Sequence, residues 1–135
     1  MALIDWTETL CVGHSRIDEQ HQELTRLVNA LHEAMLAGRG KAVLGEVLDQ
    51  LIAYTVHHFA EEEAMMAATK YPGAAAHLAQ HEALKQRAVQ LQAEFRDGGG
   101  GILTMEVLEF LKGWLRDHIV GSDKLLAQHL RSAAA

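Results

Sequence analysis

Between Tyr54 and Met66 the chain reads Tyr-Thr-Val-His-His-Phe-Ala-Glu-Glu-Glu-Ala-Met-Met, with neither Gly nor Pro, and is expected to be helical. Residues four apart on a helix share a face, about one turn from each other, so His58 and Glu62 point the same way. Leu51 and Tyr54 precede them on that face and Met65 and Met66 follow. An imidazole and a carboxylate therefore stand where a core-facing stripe would otherwise be apolar. Burying groups that can carry charge is costly unless a partner compensates them, and a metal ion compensates both at once.

The elements that would carry such a site follow from the spacing of apolar residues and from the breakers between them. Residues 1–13 form an arm in which Ile4, Trp6 and Leu10 have no sustained helical period. Ser15 or Asp18 can cap a first helix, about 15–37, with Ile17, His21, Leu24, Val28, Leu31 and Met35 on one stripe. Gly38 and Gly40 end it. A second helix, about 41–67, carries Val43, Val47, Leu48, Leu51 and Tyr54 into the opening stretch. Pro72 suits a helix's first turn and not its interior, so a third helix is expected over about 72–96, with His77, His81, Leu84, Ala88, Leu91 and Phe95 on one side. Asp97 and Gly98 to Gly101 read as a flexible connection, and Thr104 as the cap of a fourth helix, about 104–130, with Leu108, Leu111, Leu115 and His118 in line. Arg131 to Ala135 read as a frayed tail.

Helices of some twenty residues are roughly 30 Å long, and three short connections make each antiparallel to the one before it. The expected fold is all-α: an up-down-up-down antiparallel four-helix bundle with an N-terminal arm, forming a single domain over 1–135. Composition agrees, with 49% hydrophobic residues, 5% aromatic and one proline.

A formal charge of -6 argues against a nucleic-acid or anionic-membrane binder, because either would want a basic face. No run approaches the roughly 18 apolar residues that cross a bilayer, and Asp5 and Glu8 interrupt any signal-like segment. With one cysteine, Cys11, no internal disulfide can form. Cys11 is expected to be a small buried filler, and the chain a soluble protein of the cytoplasm.

Every expected helix places a metal-ligating side chain on its apolar stripe: His21 on the first, His58 and Glu62 on the second, His77 and His81 on the third, His118 on the fourth, with Asp123 after it. One core histidine is ordinary; the same coincidence on four helices is not. Five imidazoles with two carboxylates exceed the three or four ligands of a typical zinc site, and favour two ions sharing bridging carboxylates. Spacing alone leaves iron, zinc, manganese and cobalt open.

Ile-Asp-Glu-Gln-His ending at His21, His-Phe-x-x-Glu-Glu from His58, Tyr-Pro followed by His77-x-x-x-His81, and Trp-Leu-x-x-His118-x-x-x-x-Asp123 resemble, in order, the motifs of the hemerythrin family in its single-domain bacterial form. The likeness covers nearly the whole chain. It implies two iron ions with an oxo or hydroxo bridge, one held by His77, His81 and His118, the other by His21 and His58, with Glu62 and Asp123 bridging. The second iron then has one protein ligand fewer and keeps a position for dioxygen. The implied function is reversible oxygen binding for storage or delivery, with an oxygen-consuming enzyme as recipient. Two other readings stand beside it: an oxygen or redox sensor acting through a separate partner, and a di-iron enzyme handling peroxide or nitric oxide. Imidazole-rich donation, less anionic than the Glu-rich di-iron sites, favours carrying oxygen over activating it, so the chain is not expected to be an enzyme beyond a weak peroxidase or oxidase side activity. Phe59, Met65, Met66, Trp114, Leu115 and Ile119, close in sequence to ligands, are the expected pocket lining.

Two further expectations concern geometry. Five residues separate His118 from Asp123, which on a regular helix stand roughly 140° apart. Both reach one site only if the helix is locally overlong, and a π-bulge at Gly121 would supply this. Glu61 and Glu63, flanking Glu62, are expected to be solvated or to support a ligand from behind. His14, His32, His57 and His129 fall off the stripes and are expected to take no part in the site.

Overall fold

The computed structural model describes residues 6–38, 41–98 and 100–134, with the side chains at 9, 41, 98, 100–107, 119, 120 and 134 outside the described residues. Ile4 of the arm also lies outside them. A 3-10 turn, Glu8–Leu10, precedes α1 (Ser15–Leu36), α2 (Lys41–Thr69), α3 (Ala74–Gly98) and α4 (Gly100–Asp117); a π-helical turn, His118–Asp123, then joins α4 to α5 (Lys124–Ala134). The last three run on without a break, so the bundle has four rods. α1 packs against α2 and α4, and α3 against the same two, which leaves α1 and α3 diagonal across an up-down-up-down four-helix bundle. No helix among the described residues is long and apolar enough to cross a membrane.

The start of α1 differs from expectation. Its N-cap is His14, whose Nδ1 accepts the Ile17 N–H at 3.3 Å. Asp18, inside the first turn, reaches back to accept the N–H groups of Val12 at 2.8 Å and Gly13 at 3.3 Å. Histidine is not among the usual capping residues, so the sequence offered Ser15 and Asp18 instead. Gly13 has φ +87, a left-handed value that favours glycine, and the Arg131 guanidinium lies against it and donates to Val12 O at 2.8 Å. That clasp ties the arm to α5 and engages the segment expected to fray. Cys11, expected to be buried, is exposed beside this turn.

The boundaries near glycines also move. α3 takes in Asp97 and Gly98 and α4 begins at Gly100, so Thr104 lies inside a helix and not at its start. Glycine costs a helix about 1 kcal/mol relative to alanine and does not forbid it. At the other end of α2, Lys70 adopts φ 53, and Tyr71 N–H bonds back to Met66 O at 3.0 Å. This is the helix-ending turn that normally holds glycine. Lys70→Gly is therefore expected to stabilise the protein by about 0.5–1 kcal/mol, the left-handed penalty less glycine's greater freedom when unfolded. Urea unfolding of both proteins checks it, and a destabilised variant would mean the lysine side chain matters more than its backbone.

Candidate metal centre

Buried side chains from every rod meet inside the bundle, toward the end at which α2 gives way to α3. His21 (α1), His58 and Glu62 (α2), His81 (α3) and Asp123 (π turn) are fully buried, and His77 and His118 are each 4% exposed. The i, i+4 spacings of His58 and Glu62 and of His77 and His81 place each pair on one helix face. The π turn brings Asp123 round to the side of His118, because i→i+5 bonding stacks residues five apart nearly one above the other. Gly121 is not what permits this. A Cβ there would meet nothing within 4 Å, and its φ is not left-handed.

The two carboxylates divide their oxygens between two sets of imidazoles. Glu62 Oε1 lies 3.0 Å from His77 Nε2 and 3.0 Å from His81 Nε2, while Glu62 Oε2 lies 2.9 Å from His58 Nε2. Asp123 Oδ1 lies 3.0 Å from His118 Nε2 and 3.2 Å from His77 Nε2, while Asp123 Oδ2 lies 2.6 Å from His21 Nε2. Two groups of donors result, each with its atoms within 4.8 Å of one another: His77, His81, His118, Glu62 and Asp123, and His21, His58, Glu62 and Asp123.

The donors fit a pair of cations. His58 Nε2, His118 Nε2, Glu62 Oε2 and Asp123 Oδ1 are buried at these short separations without making a hydrogen bond. Unsatisfied buried polar atoms cost roughly 1–3 kcal/mol each, and lone pairs aimed at a common point are what a metal ion satisfies. Imidazole and carboxylate together suit iron, zinc, manganese and cobalt.

Without metal the cluster holds itself together by charge. Burial disfavours the His58 and His118 imidazolium ions, but the Asp123 and Glu62 carboxylates outweigh it, pushing His58 up to about 9 and His118 up to about 10. His77 is raised by the same balance. For His21 burial prevails over Asp123 and its value is lowered. Burial and repulsion from Asp123 push Glu62 up, yet the His118, His58 and His77 imidazoles around it hold it well below the usual carboxylate range. For Asp123 burial is again outweighed, by His118, His21 and His58, with the same result.

The far ring nitrogens have partners of their own. His81 Nδ1 lies 3.0 Å from Glu63 Oε2, so Glu63 supports a cluster histidine from behind. His58 Nδ1 lies 2.6 Å from Gln20 Oε1, and Gln20 is 5% exposed. By residue type alone Gln20 carries no sign of burial, since an amide beside an apolar stripe looks like surface. Its one signal was its place three residues after Ile17 and four before Leu24, on the buried arc. Glu61 instead turns outward to Arg16 and His57.

Of the expected lining, Phe59, Met66, Trp114 and Leu115 are buried in the core. Phe59 lies flat on His81, centroids 3.8 Å apart, with its edge to Trp114. Met65 is only partly buried, since Met66 holds the inward position, and the side chain of Ile119 lies outside the described residues. His14 caps α1, His57 is exposed, His32 is partly buried on α1, and His129 donates to Thr69 O at 3.1 Å. None of these four joins either group of donors.

Residues 12–130 match the family described as the hemerythrin HHE cation binding domain. The chain is 35% identical to a bacteriohemerythrin of Stenotrophomonas maltophilia, over 98% of this chain and 84% of that one. It is 36% identical to a bacteriohemerythrin of Methylococcus capsulatus, over 93% and 95%. The crystal structure of a wild-type hemerythrin superposes with a TM-score of 0.85 at 34% identity, covering 96% of this chain and 98% of that one.

Proposed function

This chain belongs to the hemerythrin family, and from that premise we propose that it binds dioxygen reversibly at a pair of iron ions, for storage or delivery. His77, His81 and His118 would hold one ion and His21 and His58 the other, with Glu62 and Asp123 spanning both. The observation that carries this reading is the split of each carboxylate, one oxygen toward each imidazole set. When bound, the iron pair supplies the electrons that dioxygen takes up on binding and returns on release.

The residues contribute the rest. Five protein donors face one position and four the other, so the two-histidine side is the one with room for a small ligand. Five neutral imidazoles against two carboxylates leave little excess negative charge, which favours holding oxygen over cleaving it. Phe59 and Trp114 stack on His81 and His118, and with the buried Met66 and Leu115 they would limit water at a bound molecule whose loss with protons would leave the iron oxidised.

Anaerobic loading with ferrous iron, followed by metal analysis and stopped-flow release, tests the proposal. About two irons per chain are expected, with a colour that forms in air and fades under argon. Oxidation that never returns oxygen refutes carriage. His77→Ala should weaken iron binding by more than the roughly 10–100-fold that loss of an outer partner costs, and His32→Ala should leave it unchanged. Equal retention in both would mean the histidines are wrongly divided.

A further inference from the structure

Two imidazoles of the cluster are held from behind by side chains of different charge, and the difference falls on opposite sides of the metal pair. Glu63, whose side chain is 31% exposed, sets Oε2 3.0 Å from His81 Nδ1 on the three-histidine side. Gln20, 5% exposed, sets Oε1 2.6 Å from His58 Nδ1 on the two-histidine side. The Nδ1 atoms of His21 and His118 are buried without a partner. Among these four imidazoles, the contrast between the two positions rests on Gln20 and Glu63.

Resting on the di-iron reading above, we propose that Gln20 and Glu63 are positioning residues that make the two metal positions unequal, strengthening the three-histidine position and leaving the two-histidine position the weaker and the more easily reduced. A ring whose Nε2 faces a cation must carry its proton on Nδ1, so each partner has to present an oxygen, and each does. A carboxylate accepting a hydrogen bond from that N–H makes the imidazole a stronger donor, through a bond roughly twice as strong as a neutral one. An amide fixes the ring without adding charge. The chemistry also explains which residue stands where. A carboxylate at position 20 would be a further buried anion beside Glu62 and Asp123, with the desolvation cost this carries, whereas position 63 reaches water.

Gln20→Glu and Glu63→Gln change charge with almost no change of shape, so titrating each metal-free variant with Zn²⁺ by calorimetry separates charge from placement. The unsubstituted protein should bind in two steps, the tighter at the position with five donors. Glu63→Gln should weaken the tighter step about 10-fold, the low end for an outer partner because Glu63 itself reaches water, and leave the other step alone. Gln20→Glu should strengthen the weaker step by a similar factor. With iron loaded, the midpoint potential should rise in Glu63→Gln and fall in Gln20→Glu. Opposite signs support the proposal; no change in either variant, or loss in both, overturns it. If Gln20→Glu does not fold, Glu63→Gln decides alone, since an unchanged tighter step overturns the charge role. A protein that binds no Zn²⁺ overturns both this inference and the proposed function, whereas two steps insensitive to both substitutions overturn this inference only.

Discussion

Glu62→Ala is expected to strip both metal positions together. Its Oε1 faces His77 and His81 and its Oε2 faces His58, so a single truncation takes one donor from each group. His81→Ala, by contrast, touches only one group. The loss also reaches the metal-free protein, because His58, His77 and His81 lose a buried anionic partner, and breaking a buried ion pair from one side costs roughly 3–5 kcal/mol. Metal content per folded chain and urea unfolding of the metal-free protein measure the two effects. Glu62→Gln keeps the shape and should fold better while binding nearly as poorly. A Glu62→Ala protein that loses one ion and keeps the other would sink the shared-carboxylate geometry.

The second large effect is a reversal of pH dependence on loading with metal. In the metal-free protein His58 and His118 are raised to about 9 and about 10, and His77 is raised too. Groups raised in the folded state contribute stability fully below their unfolded value of about 6.5, and lose it as pH climbs through the folded values. Glu62 and Asp123, held low, contribute above about 4 and lose their contribution in acid. His21, lowered by burial, opposes folding once pH drops below about 6.5. The metal-free protein should therefore be most stable near pH 5–7, roughly, and melt at falling temperature from there to about 10. Metal binding requires neutral imidazoles and releases protons, so the loaded protein should weaken on acidification and hold steady toward alkaline pH. Between about pH 7 and 9 the two melting curves should diverge. Parallel curves from scanning calorimetry would falsify the assignment of these histidines as ligands.

Much of this site was legible because its residues obey rules of period. His58 with Glu62 and His77 with His81 announce themselves at four-residue spacing inside apolar stripes, and the five-residue step from His118 to Asp123 called for the π turn that the structure contains. What stayed hidden depends on tertiary contact. Gln20 is polar by type and buried by position, and nothing local marks it as the partner of His58. His14 caps a helix although its residue type rarely does. Gly98, Gly100 and Gly101 read as a connection yet fall within α3 and α4, because glycine's local cost of about 1 kcal/mol disfavours a helix without forbidding it. Cys11 looks like core filler on composition, yet sits beside a turn whose position is set by Arg131, 120 residues later in the chain.

The extra residue between His118 and Asp123 also sets the screw phase of everything after it. On an unbroken α-helix each later side chain would be rotated by about 100°, and Leu126, Ala127 and Leu130, now 0%, 0% and 7% exposed, would swing to the flank. Arg131 would swing with them and let go of Val12. A shortening of the chain that tidied this segment into a regular helix would thus turn out Asp123, unseat the last rod and free the leading arm in one event.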